Sequence, residues 1–203
     1  MRVILTYHAT RLQRLTREGS DLLSLHADLE WLADQGIAVM SLDELLADPR
    51  RAGVAVTFDD GSRLDGFPHL HPGLGLLPSM LQVLTHAKRR LPGLCVSNFV
   101  IASPQARTVL ATHLRAEFGA SLMDSDWWTS AHASGLMQLE NHSWDHNHPL
   151  LQHSVQRDNQ RGNFLVIDSA EDAEAEIAVA SDVIGHATGR RPRYFAYPFG
   201  DVS

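Results

Sequence analysis

The sequence lacks several features that would assign the chain to a specialised class of protein. One cysteine among 203 residues cannot form a disulfide within the chain. Lys and Arg number 17 against 24 Asp and Glu, and the resulting net charge of −7 argues against nucleic acid or an anionic membrane as the main partner. No run approaches the ~20 apolar residues that a membrane span requires. The hydrophobic share of 44% suffices for one sizeable core in a chain of this length.

The amino terminus likewise lacks the features of a secretory signal peptide. Met1 and Arg2 lead directly into the apolar residues 3–5, without a long hydrophobic region or a small-residue cleavage site. We interpret this segment as the first strand. The single Cys95 lies in an apolar-rich run and is interpreted as a small core residue, which fits a reducing compartment. We therefore expect a cytoplasmic protein, and the sequence does not determine its oligomeric state.

Two adjacent carboxylates that follow an apolar segment are the strongest chemical feature of the sequence. Residues 54–58, Val-Ala-Val-Thr-Phe, predict a strand buried on both faces, and Asp59, Asp60 and Gly61 follow it. Parallel α/β folds keep their chemistry at the carboxyl ends of such strands. Because side chains alternate along a strand, the two acids can take different roles, one with a cation and one with a proton. A plain strand followed by an Asp-Gly turn is the alternative interpretation.

A second polar motif occupies residues 141–149, Asn-His-Ser-Trp-Asp-His-Asn-His-Pro. His142 and His146 are four positions apart, so on a helical turn they would point the same way. Together with one carboxylate they would form the two-imidazole, one-oxygen ligand set of an open Zn²⁺ site. A histidine pair alone is weak evidence, and the acids after residue 58 are what favour a metal site.

These motifs, Thr-Phe-Asp-Asp-Gly ending at Gly61 and His-Ser-Trp-Asp-His beginning at His142, resemble those of the polysaccharide deacetylase family. The family is also known as the NodB homology domain and as carbohydrate esterase family 4. The resemblance implies that Asp59 is the catalytic base and that Asp60, His142 and His146 hold a divalent metal ion. Zinc is the expected metal, and cobalt, manganese or nickel would tolerate the same ligands.

Two further residues lie within or beside the histidine motif. We interpret Asp145 as a hydrogen-bond partner of an imidazole rather than as a metal ligand. His148 is either an auxiliary group of the site or a residue of its surroundings.

A third motif, residues 193–200, looks like the family segment that lines the substrate groove. The resemblance implies that Tyr197, Pro198 and Phe199 lie along this groove. It also implies that the backbone N–H of Phe199 donates a hydrogen bond to the oxyanion that forms during hydrolysis.

Position 196 departs from the family pattern. Many members have an arginine there that orients the catalytic Asp, whereas this chain has Ala196. The role is therefore absent or is filled by another group, such as Arg193 or Arg161, and the sequence does not decide between them.

The general acid is a second departure, because in the family it is a histidine of a late motif and no histidine follows the third motif here. Members with a permuted motif order begin instead with a strand that ends in Tyr-His, and residues 3–8, Val-Ile-Leu-Thr-Tyr-His, resemble that start. We therefore assign His8 as the acid, which requires its strand to pair in parallel beside the Asp59 strand. The alternative is a histidine that merely ends a strand.

The order of elements predicts an α/β fold with parallel strands. Strands are expected at residues 3–7, 54–58, 94–101, 136–140 and 194–197, and a long loop at 62–78. Trp127 and Trp128 are interpreted as packing residues rather than as a sugar platform. The resemblance implies a distorted (β/α) barrel of the glycoside hydrolase/deacetylase superfamily. Because these strands are too few to close it, the barrel is open or incomplete, and we interpret residues 1–203 as a single catalytic domain truncated after Ser203.

These observations predict a metal-dependent hydrolase that removes acetyl groups from N-acetylated sugars of a polysaccharide or oligosaccharide. A carbohydrate is the expected partner. One alternative is an amidase that acts on a small non-sugar amide or a cyclic ureide with the same metal triad. Another is a non-catalytic carbohydrate-binding relative, against which Asp59 argues, since a structural metal needs no adjacent base.

Overall fold

The computed structural model describes residues 2–152 and 160–201. Within these ranges the strands are β1 (Arg2–Tyr7), β2 (Gly53–Phe58), β3 (His69–His71), β4 (Gly75–Leu77), β5 (Val96–Val100) and β6 (Met137–Asn141). The α-helices are α1 (Asp21–Asp34), α2 (Leu42–Ala47), α3 (Arg63–Gly66), α4 (Met80–Ala87), α5 (Pro104–Phe118), α6 (Trp128–Ala133), α7 (Ala170–Ala173) and α8 (Ala180–Thr188). Ser203, after which a truncation was expected, lies outside the described residues.

The main sheet of the described chain has the strand order β1-β2-β5-β6. β1 pairs with β2 in parallel, with Tyr7 opposite Phe58, and β2 pairs with β5 in parallel, with Phe58 opposite Asn98. Every residue of β2 is buried, as the uninterrupted apolar segment predicted. The predicted α/β fold with parallel strands is confirmed.

Local signals in the sequence place several helix starts. Ser41 and Glu44 form a reciprocal capping box at the start of α2, and Ser79 and Gln82 form another at α4. The Ser103 hydroxyl accepts from the N–H of Ala106 at the start of α5, which has a proline in its first turn. Each cap satisfies backbone donors that the first turn of a helix leaves without an intrahelical partner.

Three local predictions were wrong. The predicted loop at 62–78 contains the short helix α3 and the antiparallel hairpin β3–β4, in which Leu70 lies opposite Leu76. The predicted strand at 194–197 is reduced to one parallel bridge between Asn141 and Phe195. Cys95 is half-buried rather than a core residue.

The chain divides into two compact units. One consists of Met1–Asn98 and Ser125–Gln138, and the other of Phe99–Asp124 and Leu139–Ser203. Fully buried side chains of the first unit include Leu25, Phe58, Met80, Leu84 and Trp127. A core cluster of the second unit comprises Ile101, Ala106, Leu110, Ala111, Met123 and Leu151.

The tryptophan pair packs in the core of the first unit, because Trp127 is 0% exposed and Trp128 is 2% exposed. This confirms their interpretation as packing residues. No helix within residues 2–152 and 160–201 combines the length and the apolar character that crossing a bilayer would need.

Candidate functional site

The two acids leave β2 through a left-handed turn. The backbone N–H of Asp59 donates to the carbonyl of Tyr7 at 3.1 Å, so the pairing with β1 extends to this residue. Asp60 then has φ 69° and Gly61 has φ 70°. A non-glycine residue in this conformation costs about 1–2 kcal/mol, although Asp tolerates it better than most residues. The turn ends the alternation of the strand, and it sets the direction of each carboxylate.

His8 lies beside Asp59 at the carboxyl end of the neighbouring strand. Its Nε2 atom is 4.0 Å from Oδ2 of Asp59, and 41% of its side chain is exposed against 18% for Asp59. The parallel pairing of β1 with β2, which the assignment of His8 required, is confirmed. The imidazole can therefore exchange protons with solvent while it remains next to the proposed base.

Asp21 holds the backbone at His8, and sequence reasoning missed it. Its Oδ2 atom accepts from the N–H of His8 at 2.8 Å, and its Oδ1 atom accepts from Nη1 of Arg11 at 3.1 Å. Asp21 is the first residue of α1 and is 5% exposed. A buried carboxylate in the first turn of a helix is stabilised by the helix dipole, so the sequence signal alone reads as capping rather than as support for His8.

The histidine motif is a left-handed loop, not the helical turn that the spacing predicted. His142 follows β6 directly, and Ser143, His146 and Asn147 have φ values of 73°, 65° and 42°. The imidazoles of His142 and His146 nevertheless come together, with ring centroids 4.8 Å apart at an interplanar angle of 70°. The two imidazoles therefore lie close together, as the spacing suggested, although the predicted helical backbone was wrong.

Side chains of the motif hold this loop by short-range hydrogen bonds. The N–H of Ser143 donates to Oδ1 of Asn141 at 2.7 Å, and the N–H of His146 donates to Oγ of Ser143 at 2.7 Å. The N–H of Asn147 donates to Oδ1 of Asp145 at 2.8 Å. Asn, Ser and Asp bond neighbouring backbone groups in this way in turns, which explains why the motif needs these residue types between its histidines.

His142 is oriented by the backbone of the third motif. Its Nδ1 atom is 3.0 Å from the carbonyl oxygen of Ala196. Since a carbonyl only accepts, Nδ1 carries the hydrogen, and Nε2 is left with the lone pair that a metal requires. Ala196 is itself fixed, because its N–H donates to the carbonyl of Asn141 at 3.0 Å. Position 196 thus contributes a carbonyl to the site although it lacks the arginine of the family.

Glu176 binds the backbone of the histidine loop, and the sequence alone did not identify it. Its Oε2 atom accepts from the N–H groups of Trp144 at 2.9 Å and of Asp145 at 3.2 Å. It is 0% exposed and lies in a π-helical segment, Glu174–Val179, between α7 and α8. Burial, together with the charge and hydrogen bond of Asp145, raises the pKa of Glu176 to about 8. The protonated form of Glu176 is therefore favoured at neutral pH.

The third motif places an aromatic residue against the histidine pair. The ring of Phe199 lies 4.5 Å from that of His146 in an edge-to-face contact, and Phe199 has φ 61°. Tyr197 is 50% exposed and Phe199 is 47% exposed, whereas Pro198 is buried. Such exposure of two large aromatic side chains near polar groups suits contact with a ligand. The ring of His148 lies 5.7 Å from that of His146.

The arginines considered as replacements at position 196 belong to the second unit. The guanidinium of Arg193 lies 5.7 Å from the ring centre of Tyr194, and the backbone N–H of Arg193 donates to the buried Glu140 at 2.7 Å. Whether Arg193 or Arg161 takes the missing role stays a prediction.

Two groups of side chains in the described part of the chain could hold a metal ion. One consists of Asp60, His142 and His146, the residues predicted as ligands from the motifs. The other consists of His26, Glu30 and His86 and was not predicted.

The model of the polysaccharide deacetylase family matches residues 47–203, and the chain belongs to this family. The match includes all three motifs, whereas His8 precedes it. The resemblance recognised from the first two motifs is thereby confirmed.

Solved structures of deacetylases share the fold. BC0361, a polysaccharide deacetylase from Bacillus cereus, matches with a TM-score of 0.63 and 17% identity over 100% of this chain and 52% of its own. IcaB from Ammonifex degensii matches with a TM-score of 0.61 and 22% identity over 100% of this chain and 76% of its own. The Streptococcus pyogenes deacetylase PplD, solved with acetate, matches with a TM-score of 0.61 and 18% identity over 98% and 74%.

The chain thus spans about half the length of BC0361, with 52% of that protein covered. At these identities the likeness establishes the fold alone. A search of the curated proteins finds no match.

Proposed function

We propose that the chain is a metal-dependent hydrolase that removes acetyl groups from N-acetylated sugars of a polysaccharide or oligosaccharide. The observation that carries the proposal is the histidine pair after β6, with rings 4.8 Å apart and with His142 turned through its Nδ1 contact to Ala196. Membership of the polysaccharide deacetylase family supports the same reaction. The bond cleaved would be a carbon–nitrogen amide bond other than a peptide bond.

The donor set fits a divalent metal. Asp60, His142 and His146 would hold it, because one carboxylate and two imidazoles suit zinc first and also cobalt, manganese or nickel. His142 offers Nε2 for this purpose, since its Nδ1 is engaged by a carbonyl. When bound, the cation would lower the pKa of a water molecule and polarise the acetyl carbonyl.

Asp59 and His8 would carry the proton transfers. Asp59 would accept the proton of the attacking water as general base. It is adjacent in the chain to Asp60, so it would lie near the metal without being a ligand itself. His8 would donate a proton to the amine nitrogen as the C–N bond breaks. Nε2 of His8 and Oδ2 of Asp59 lie 4.0 Å apart, which is longer than a hydrogen bond, so a proton would pass between them through a water molecule or after closer approach of the two side chains.

The third motif would bind the substrate. The backbone N–H of Phe199 would hydrogen-bond to the oxyanion, and a donor of this kind contributes about 10²–10³-fold in kcat. Tyr197 would line the groove for the sugar, because its exposed ring offers a face for it, whereas the buried Pro198 would hold the turn behind that ring.

An assay for acetate release tests the function and separates it from its alternatives. Untagged protein loaded with zinc would be incubated with N-acetylglucosamine oligomers, with peptidoglycan fragments and with simple acetylated amines. We expect acetate from at least one of the sugar substrates, and loss of the reaction after treatment with a chelator.

The alternatives give different results in the same assay. Turnover confined to small non-sugar amides or cyclic ureides would replace the proposal by the amidase, and binding of sugar without any turnover by metal-loaded protein would leave a carbohydrate-binding relative. Fully deacetylated oligomers serve as the control, because they share the sugar chain and lack the scissile bond.

A further inference from the structure

A second group of metal-binding side chains lies on helices α1 and α4 of the first unit. His26, Glu30 and His86 each offer one ligand atom, and these atoms lie within 4.8 Å of one another. His26 and Glu30 are four positions apart on α1, so they share one face of the helix. His86 lies in the last turn of α4. The imidazoles of His26 and His86 are stacked, with centroids 6.2 Å apart and planes inclined by 23°.

The carboxylate of this group is held in place by Arg90. Nη1 of Arg90 donates to Oε2 of Glu30 at 2.8 Å, and Nη2 donates to Oδ1 of Asp34 at 2.6 Å. The guanidinium thus fixes one oxygen of Glu30 and leaves Oε1 to face another partner. Two carboxylates and one guanidinium leave a local charge of −1, so Arg90 does not make the group repel a cation.

The chemistry of the three ligands selects among metals. Two imidazole nitrogens and one carboxylate oxygen suit zinc and its late first-row neighbours, whereas magnesium and calcium prefer oxygen ligands throughout. Bonds of about 2.0–2.1 Å in a tetrahedral site separate ligand atoms by about 3.3 Å. Both histidines are exposed and Glu30 is half-buried, so rotation of their side chains can close the remaining distance.

We propose that His26, Glu30 and His86 bind Zn²⁺ and that this ion links α1 to α4. The fourth position is open to solvent and would hold a water molecule. The proposal does not rest on the proposed catalytic function, since no residue is shared with the Asp60, His142 and His146 group. The ion would stabilise the packing of the two helices rather than take part in the deacetylation.

The zinc content of purified protein tests the proposal. Untagged wild-type protein, the double variant His26→Gln/His86→Gln and the control His113→Gln would be stripped of metal, dialysed against a zinc buffer and analysed by mass spectrometry for bound zinc. His113 is an exposed histidine of α5 outside both groups. We expect the double variant to hold one zinc per chain fewer than the wild type, and the control to match the wild type. Equal zinc contents in the double variant and the wild type would overturn the proposal.

A second measurement needs no variant and therefore remains decisive if the double variant does not fold. Carbethoxylation of histidines in the wild type, read out residue by residue by peptide mass spectrometry, would be compared with and without zinc. Zinc should slow the modification of His26 and His86 at least several-fold and leave His113 unchanged, and magnesium should have no effect. Unchanged reactivity of His26 and His86 at saturating zinc would overturn the proposal.

Discussion

At the scale of single residues, His142 shows how one backbone carbonyl determines which ring nitrogen can bind a metal. The contact of 3.0 Å between Nδ1 and the carbonyl oxygen of Ala196 fixes the tautomer. A side chain at position 196 is not needed for this, because the contact is made by the backbone. The absence of an arginine at position 196 therefore leaves the orientation of His142 intact.

The proposed division of roles between Asp59 and Asp60 predicts opposite effects of two matched variants. Asp59→Asn should keep zinc bound and lower kcat/KM by about 10²-fold or more, because loss of a general base costs at least that much. Asp60→Asn should lower the zinc affinity, because an amide oxygen is a weaker ligand than a carboxylate. Zinc content and acetate release, measured on both variants, check the prediction. Loss of zinc in Asp59→Asn with activity restored by excess metal would reverse the two roles.

His8 should control the alkaline limb of the pH profile. A general acid must carry its proton when the reaction begins, so the proposed role of His8 requires activity to fall at high pH. His8→Gln should abolish this limb in kcat/KM and lower the rate by about 10²-fold or more. His113→Gln should change neither the limb nor the rate. A lower rate in His8→Gln with an unchanged pH profile would instead mean that His8, at 4.0 Å from Asp59, only orients the base.

The resemblance to the family motifs was enough to nominate the base, the ligands and the groove residues. They could not reveal Asp21 or Glu176, because each acts on backbone N–H groups that are distant in the chain. From the sequence alone, an acidic residue in a helix is interpreted as a solvent-exposed or capping residue. Only the structure shows which groups it contacts. The sequence therefore predicts functional roles for residues within the family motifs, and it does not identify the residues whose hydrogen bonds fix the backbone of those motifs.

At the scale of elements, signals contained within a few residues match the structure, whereas pairings that depend on distant residues were not predicted. The capping boxes of α2 and α4 are formed within four residues, so the sequence contains everything that makes them. The hairpin β3–β4 was missed because its glycines read as breakers, although Gly75, with φ 79°, begins the second strand of the hairpin. The strand expected at 194–197 depends on β6 for its partner and retains a single bridge.

The π-helical segment Glu174–Val179 also escaped prediction, because the apolar pattern there fits an uninterrupted helix. Single π turns within helices often mark functional positions. Here the segment contains the buried Glu176, which binds the backbone of the histidine loop. The π-helical turn thus coincides with the residue that binds the histidine loop.

Glu176 should make the stability of the protein depend on pH. Burial and then Asp145 raise its pKa from 4.5 to about 8 in the folded chain. Between these values the folded state keeps a proton that the unfolded state releases, so the free energy of unfolding should decrease as pH rises. Glu176→Gln keeps an acceptor for the N–H groups of Trp144 and Asp145 and removes the titration. Urea unfolding at about pH 5 and about pH 8 should show a smaller decrease in this variant, by ~1 kcal/mol or more. Equal decreases in variant and wild type would assign the pH dependence to other groups.

Gly66 should be intolerant of any side chain. A Cβ atom there would lie 2.6 Å from Cβ of Trp127 and 2.9 Å from two of its ring atoms. Trp127 is 0% exposed and cannot move aside without disturbing the core. Gly66→Ala should destabilise the chain, because overpacking costs about 1–3 kcal/mol and the gain in helix propensity, about 1 kcal/mol in a helix interior, is smaller at the last residue of α3.

Gly73→Ala is the matched control, because its Cβ would meet only ring atoms of His71 at 3.9 Å. Its stability in urea unfolding should remain within about 0.5 kcal/mol of the wild type. If Gly66→Ala were as stable as Gly73→Ala, the packing of Trp127 against α3 would be looser than the structure indicates.

At the scale of the whole molecule, the alternation of strands and helices was sufficient to predict a parallel α/β sheet, because buried parallel strands read as apolar runs. The strand order β1-β2-β5-β6 was not predictable from the same pattern. It depends on which strands meet across long stretches of chain, and the apolar runs are too alike to specify partners. The motifs do follow strands of this sheet: the acid pair follows β2 and the histidine motif follows β6. The end of the third motif follows Phe195, which forms a bridge with Asn141 of β6.

Metal removal should lower the stability of the whole chain, because an ion that binds only the folded state stabilises that state by mass action. Free zinc at about 100 times Kd contributes about 2.7 kcal/mol per site, which corresponds to about 5–10 °C in Tm for a chain of this size. Chelation should therefore lower the Tm of the wild type by at least this amount. The test is thermal unfolding with zinc and with a chelator.

Variants separate the contributions of the two groups. In His26→Gln/His86→Gln the chelator should still lower the Tm, because Asp60, His142 and His146 remain. Adding His146→Ala to that variant should leave a Tm that no longer responds to the chelator, because neither group then keeps its full ligand set. His113→Gln should respond as the wild type does. A wild-type Tm that is unaffected by the chelator, in protein shown to contain zinc beforehand, would mean that the metal binds folded and unfolded chains equally and does not occupy a site built by the fold.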